Sequence, residues 1–104
     1  MNQVNLTAQV VEAKPVRYTP AGLPVLDLVL QHESSVTQAN QSRQVGFNIN
    51  AVAIGDTAHL LSDLSLGSLL EIKGFLAPSR KGSSRLVLHI QSAGRINIES
   101  TTVV

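Results

Sequence analysis

The sequence predicts an all-β protein: five strands closing into one partly open barrel, with a single short helix between the third and fourth. The chain has 104 residues, the size of one domain with one core. Apolar and polar residues alternate with period two in five separate runs, the signature of half-buried strands. Only the segment after Gly55 carries leucines at helical spacing.

The first strand starts at Val4, where Val4, Leu6, Ala8 and Val10 alternate with Asn5, Thr7 and Gln9. Lys14-Pro15 ends it, because proline cannot donate to a ladder. Residues Tyr18 to Pro24 are dense in turn chemistry: Pro20 pre-sets φ and Gly22 tolerates positive φ. The second strand puts Leu26, Leu28 and Leu30 on one face and Val25, Asp27, Val29 and Gln31 on the other. Glu33 to Ser42 is polar and unpatterned, which reads as a mobile loop. The third strand runs from about Arg43 into Ala51, with Val45, Phe47 and Ile49 facing inward.

Gly55-Asp56 breaks the chain, and Asp56 is the expected N-cap of a helix through Leu64, with Leu60, Leu61 and Leu64 on one face. The fourth strand, Ser68 to Ala77, sets Leu70, Ile72, Gly74 and Leu76 on one side, and Pro78 closes it. Ser79 to Ser84 is a basic Gly/Ser-rich loop. The fifth strand, Arg85 to Ser92, turns Leu86, Leu88 and Ile90 inward and Val87, His89 and Gln91 outward, and Ile96 and Ile98 can extend it past Gly94. The domain is expected over residues 1–98, with residues 99–104 a frayed tail. Strand, strand, strand, helix, strand, strand in a chain of this size is the order of the OB-fold, a five-stranded Greek-key barrel.

Composition narrows function. Hydrophobic residues make up 43% of the chain, yet no apolar run approaches the roughly 20 residues of a membrane span. No basic leader precedes an apolar run. There are no cysteines, which excludes thiol chemistry and cysteine-based zinc sites and fits a reducing cytoplasm. Net charge is only +1, but Arg80, Lys81 and Arg85 fall in one segment with no acid between them, whereas the acids are spread singly. Phosphate binding responds to such local potential rather than to the total.

No catalytic constellation is visible. His32, His59 and His89 sit on different elements without metal-ligand spacing, and His89 reads as an ordinary polar residue on the outer face of a sheet. Gly82 stands alone among serines, so there is no phosphate-cradling glycine loop. Asp56 and Asp63 are explained by capping and solvation. Neither an enzymatic activity nor a metal or other cofactor is expected.

The segments Asn2-Gln-Val-Asn-Leu6 and Val16-Arg-Tyr-Thr-Pro-Ala-Gly-Leu-Pro-Val25 resemble the opening of bacterial single-stranded-DNA-binding proteins. Leu30-Gln-His-Glu-Ser34, Arg43-Gln44, Gly67-Ser68, Gly74-Phe75-Leu76 and Leu86-Val-Leu-His89 are similar specifically to their relatives, the primosomal replication protein N (PriB) family. The resemblance covers nearly the whole chain. It implies a homodimeric, non-catalytic OB-fold protein of the replication-restart primosome that binds single-stranded DNA and contacts the PriA helicase and DnaT. On the family's basic positions fall Arg17, Arg80, Lys81 and Arg85, with Arg43 and Tyr18 as further candidates.

Taken alone, these cations could simply solvate the surface; the family placement favours DNA contact. The family's aromatic positions carry over badly. A stacking tryptophan on the third strand aligns with Gly46, a loop phenylalanine aligns near Gln41, and an arginine after the second-strand histidine is Glu33 here. Strand parity points Phe47 into the core, leaving it a stacking role only if a β-bulge shifts the face. With aromatics at 3%, binding is expected to be weaker and more salt-sensitive than the family pattern suggests, since each base–aromatic stack contributes about 1–3 kcal/mol.

Two alternatives remain. A general single-stranded-DNA-binding protein would be expected to continue into an acidic, aromatic-ended tail, and the sequence ends Val103-Val104. A protein-docking OB dimer with weakened DNA affinity is favoured by Gly46 and Glu33 and opposed by the basic positions.

Overall fold

The computed structural model describes residues 1–96. Ile98 and the segment 99–104, for which strand extension and fraying were the expectations, lie outside the described residues. In chain order the elements are β1 (Val4–Ala13), β2 (Arg17–Tyr18), β3 (Pro24–Gln38), β4 (Gln41–Ile54), α1 (Asp56–Leu61), β5 (Leu69–Pro78) and β6 (Leu86–Arg95). They form a sheet in the order β1-β5-β6-β4-β3-β2, and β1 also pairs β3. That extra pairing closes β1, β3, β4, β5 and β6 into the five-stranded OB barrel. The β4–β6 pairing is parallel, with Ala51 beside Leu88 and Val52 beside His89.

The alternating residues sit as their spacing dictates. Leu26, Leu28 and Leu30 of β3, Leu70 and Ile72 of β5, and Leu88 and Ile90 of β6 meet in the core with Ala8, Val10, Ala51 and Ala53. Fully burying each such aliphatic side chain contributes about 1.5–3 kcal/mol. Closure also needs bends, and two bulges supply them. Val11 is an extra residue in β1 between the Val10–Leu30 and Glu12–Val29 pairs. Gln91 is an extra residue in β6 between the Ser92–Lys73 and Ile90–Gly74 pairs. An unpaired residue kinks its strand and increases twist. At the second bulge the backbones come so close that a Cβ on Gly74 would run into the His89 carbonyl.

Two motifs of the resemblance turn out to be folding devices. The Asn2 side chain donates to the Leu76 carbonyl (2.6 Å) and accepts from the Leu76 N–H (3.0 Å), so its amide acts as one more peptide unit of β1. In Thr19-Pro-Ala-Gly-Leu23, the Gly22 N–H donates to the Thr19 carbonyl (2.8 Å) and the Thr19 N–H to the Leu23 carbonyl (2.9 Å), with Gly22 at φ +90°. This is a three-residue hairpin whose glycine takes the left-handed position. It creates β2, whose Tyr18 falls in the segment expected to be turn.

Several expectations need correction. Glu33 to Ser42 is no loop: β3 and β4 pair without interruption from Val25–Ile54 to Gln38–Gln41. The ribbon turns on Ala39 and Asn40, both at positive φ (52° and 63°), the backbone of a type I′ turn. Phe47 points to the inner side as parity requires, but there the ribbon has already left the barrel, so Phe47 is 41% exposed and packs on His32 instead of the core. Leu86 is 49% exposed because it lies at the open end of β6.

The helix is shorter and differently capped than its sequence suggests. Gly55 (φ 76°) is the N-cap, Asp56 lies inside the first turn, and no side chain caps the helix. The helix ends at Leu61, so Ala58 and Leu61 face the barrel while Leu60 is 75% exposed.

Candidate nucleic-acid interface

The outward face of the barrel, rather than its core, holds a concavity that a ligand could enter. A cleft of about 510 Å³ lies over the outer side of β3 and β4 and reaches β6. Its floor is formed by the residues whose alternation turned them away from the core: Asp27 and Val29 of β3, Asn50 and Val52 of β4, and Val87 and His89 of β6. One wall is the segment joining β1 to β3, with Lys14, Arg17 and Thr19; the other begins at Pro78 and Ser79, where β5 gives way to the β5–β6 loop. In OB-folds this face and these two loops are where oligonucleotides and oligosaccharides bind.

The candidate residues do not form one cluster. Arg17 and Tyr18 stand on β2, held by pairing with Val25 and Pro24. Arg17 is spoken for: its Nε donates to Asp27 Oδ2 (2.7 Å) and its Nη2 to Asp27 Oδ1 (3.4 Å). The hydrogen bond, and secondarily the charge of Asp27, holds the guanidinium more firmly protonated. Tyr18 is 63% exposed, so its ring is open to solvent rather than packed on the barrel.

Arg80, Lys81 and Arg85 are brought together by an ordered turn. The Ser83 N–H donates to the Arg80 carbonyl (3.0 Å), Gly82 takes φ +82° and Ser79 N–H donates to the Arg85 carbonyl (2.8 Å). A positive φ at the third position is what a type II turn requires, and glycine supplies it. Ser83 Oγ accepts from the Arg85 N–H (3.0 Å). The three cations are exposed, and among the described residues none of them has an ion-pair partner.

Arg43 is remote from both groups. It pairs across the ribbon with Val36, eleven residues along β3 from the Val25 that pairs with Arg17, a separation on the order of 35 Å. Its Nη1 donates to Gln38 Oε1 (2.7 Å).

Gly46 and Glu33, the two departures from the family pattern, are direct cross-strand partners, so the stacking side chain and the neighbouring cation are missing at one spot on the ribbon. The register is unbroken there, so no bulge turns Phe47 to that face. On the inner face, His32 Nδ1–H donates to the Thr7 carbonyl (2.6 Å), Nε2 accepts from the Ser34 hydroxyl (2.9 Å), and the ring meets Phe47 at 5.1 Å.

Sequence reasoning missed the cleft floor. Asn50 and Val52 were simply outward or unassigned residues, and His89 an ordinary surface histidine. The signal available was that Val25, Val29, Val52 and Val87 are apolar on the side that alternation assigns to solvent. Among the described residues no group of three His, Cys, Asp or Glu side chains is placed to hold a metal ion.

Comparison with known proteins agrees with this geometry. The family model described as "another single-strand binding protein family" matches residues 2–92. The replication restart protein PriB of Bordetella pertussis is 51% identical over 92% of this chain and 90% of its own. That of Nitrosomonas europaea is 37% identical over 86% of this chain and 83% of its own. Among solved structures, PriB from Ralstonia solanacearum superposes with a TM-score of 0.85 at 36% identity, covering 93% of this chain and 99% of that one. The single-stranded DNA binding protein of Thermus aquaticus shares the fold, with a TM-score of 0.76 at 24% identity over 96% of this chain and 52% of that one.

Proposed function

The chain belongs to the PriB family of replication restart proteins, and from that premise we propose that it binds single-stranded DNA across the outer cleft as a non-catalytic accessory of the primosome. The observation that carries this reading is the placement of the basic β5–β6 turn beside a cleft whose opposite wall bears Lys14 and Arg17. Phosphates neutralised at Arg80, Lys81 and Arg85 hold the strand at one rim, and the floor between the rims, with Val29, Val52 and Val87 beside Asp27, Asn50 and His89, faces its bases. Arg17 joins them by exchanging Asp27 for a phosphate, Tyr18 stands beside it, and Arg43 contacts only DNA that continues along the ribbon.

In this reading the protein acts in the cytoplasm and stabilises a helicase–DNA assembly through PriA and DnaT. It does so as a homodimer. The edge of β1 facing β3 carries no ladder from Val4 to Ala8, since β1–β3 pairing starts at Gln9–Gln31. Apart from the Thr7 carbonyl, which His32 holds, such an edge can pair with the same strand of a second copy.

The test is a fluorescence-anisotropy titration of labelled single-stranded oligonucleotide at two salt concentrations, repeated with Arg80→Ala/Lys81→Ala/Arg85→Ala. Binding that weakens with salt and drops sharply in the triple variant supports the site. Absence of binding at low salt refutes DNA recognition and leaves the protein-docking dimer.

A further inference from the structure

The barrel carries an aromatic pair that composition alone gives no reason to look for. Phe75 of β5 and His89 of β6 are register partners, and their rings lie 4.9 Å apart and 9° from parallel. Cross-strand side chains stand roughly perpendicular to a sheet, so each ring covers one face of the other. His89 lines the cleft and Phe75 does not, so His89 is the member of the pair that a strand in the cleft meets. The next strand there is β4, where Val52 is the parallel partner of His89 and adds no aromatic or charged group.

The ring is also held in place from below. Gly74, next to Phe75, lets the β5 backbone close onto the His89 carbonyl where any side chain would collide, and the Gln91 bulge follows two residues on. The platform is thus built into a tight, glycine-dependent crossing rather than resting on a mobile loop. Around it, Asn50 and Asp27 offer hydrogen-bonding groups on the cleft floor, and the Arg80–Lys81 turn lies beyond Ser79 at the rim.

We propose that His89, backed by Phe75, is a base-stacking platform of the cleft, so that a DNA base adds a third layer to the Phe75–His89 pair. This rests on the reading of the cleft as the single-stranded-DNA site. It moves base stacking from the ribbon, where Gly46 and Glu33 stand, to the barrel wall. An imidazole backed by a phenyl ring presents a flat π-face that accepts any base, the sequence-tolerant contact that single-strand binding calls for.

The experiment uses a single-stranded oligonucleotide carrying the fluorescent adenine analogue 2-aminopurine, whose emission is quenched by stacking, with His89→Ala, His89→Phe and His89→Leu. Losing one stacked base weakens affinity about 5- to 150-fold. His89→Ala is therefore expected to fall in that range, with relief of quenching and an unchanged salt slope. His89→Phe should recover affinity and quenching, whereas His89→Leu, of similar bulk without a π-system, should recover neither. Wild-type affinity in the alanine variant, or equal recovery by Leu and Phe, overturns the platform while leaving DNA binding intact. Should the alanine variant fail to fold, the Phe–Leu difference decides by itself. No binding by the wild-type chain refutes the DNA reading and the platform with it.

Discussion

Removing the charge of Asp27 should strengthen DNA binding while slightly weakening the fold. Asp27 holds Arg17 at 2.7 Å, with side chains 32% and 60% exposed, so the pair is solvated and contributes about 0.2–1 kcal/mol to stability. Asp27→Asn keeps an acceptor for the guanidinium and removes the charge. The melting temperature should fall by no more than about 8 °C, given roughly 4–8 °C per kcal/mol in a domain of this size.

The effect on DNA is opposite and larger. A phosphate bonded to Arg17 would lie on the order of 7 Å from the Asp27 carboxylate, where like-charge repulsion is about 0.6–2.4 kcal/mol for effective dielectrics between 80 and 20. Affinity at low ionic strength should therefore rise about 3- to 50-fold. If Arg17 gains one phosphate, the slope of log K against log salt should steepen by about 0.7. Anisotropy titrations at four or more salt concentrations read both quantities. Unchanged affinity and slope in Asp27→Asn, together with wild-type binding by Arg17→Ala, would show that Arg17 only fastens β2 to β3.

Other outcomes are equally direct. Replacing Arg80, Lys81 and Arg85 together by alanine should flatten the salt slope by about 2 if each contacts one phosphate. Gly74→Ala forces a Cβ into the His89 carbonyl and should destabilise by at least about 1–3 kcal/mol in chemical denaturation. Leu61→Ala should cost about 2–5 kcal/mol, whereas Leu60→Ala, its exposed neighbour, should stay within about 0.5 kcal/mol. Ala39→Asn removes an alanine from a left-handed position that disfavours it by about 1–2 kcal/mol. The gain should register as slower amide exchange in the ribbon, which can open without the barrel.

How far the sequence could be read depended on whether burial left a periodic trace. Leu26, Leu28 and Leu30, or Leu70 and Ile72, each have one face in the core, so alternation revealed both the strand and its orientation. Beyond the Ser34–Val45 pair the ribbon is exposed on both faces, so residues 35–44 carry no alternation, and the turn is Ala39-Asn40 rather than Asn-Gly. Nothing in Glu33–Ser42 distinguishes a solvated hairpin from a loop. Phe47 shows the same limit: parity gave its direction correctly, but where the barrel ends depends on how far β1 covers β3. For the helix, Asp56 was the stronger capping residue by type, yet Gly55 took the position because the chain leaves β4 with positive φ.

By itself, the sequence determined the barrel, the succession of its five main strands along the chain, the place of the helix and the family, because period-two burial and turn chemistry are local and the family's motifs lie along one line. It also placed the basic turn, since a run of like charge needs no partner to be seen. Tertiary structure alone decided which outward residues share a cleft, because Arg17, Val52 and His89 come from segments far apart in sequence and meet only when β4 lies parallel to β6. It decided that Arg17 is paired and Arg43 remote, and that Phe75 and His89 stack. Contacts of this kind follow from register across strands, which the bulges at Val11 and Gln91 set and which no single segment encodes.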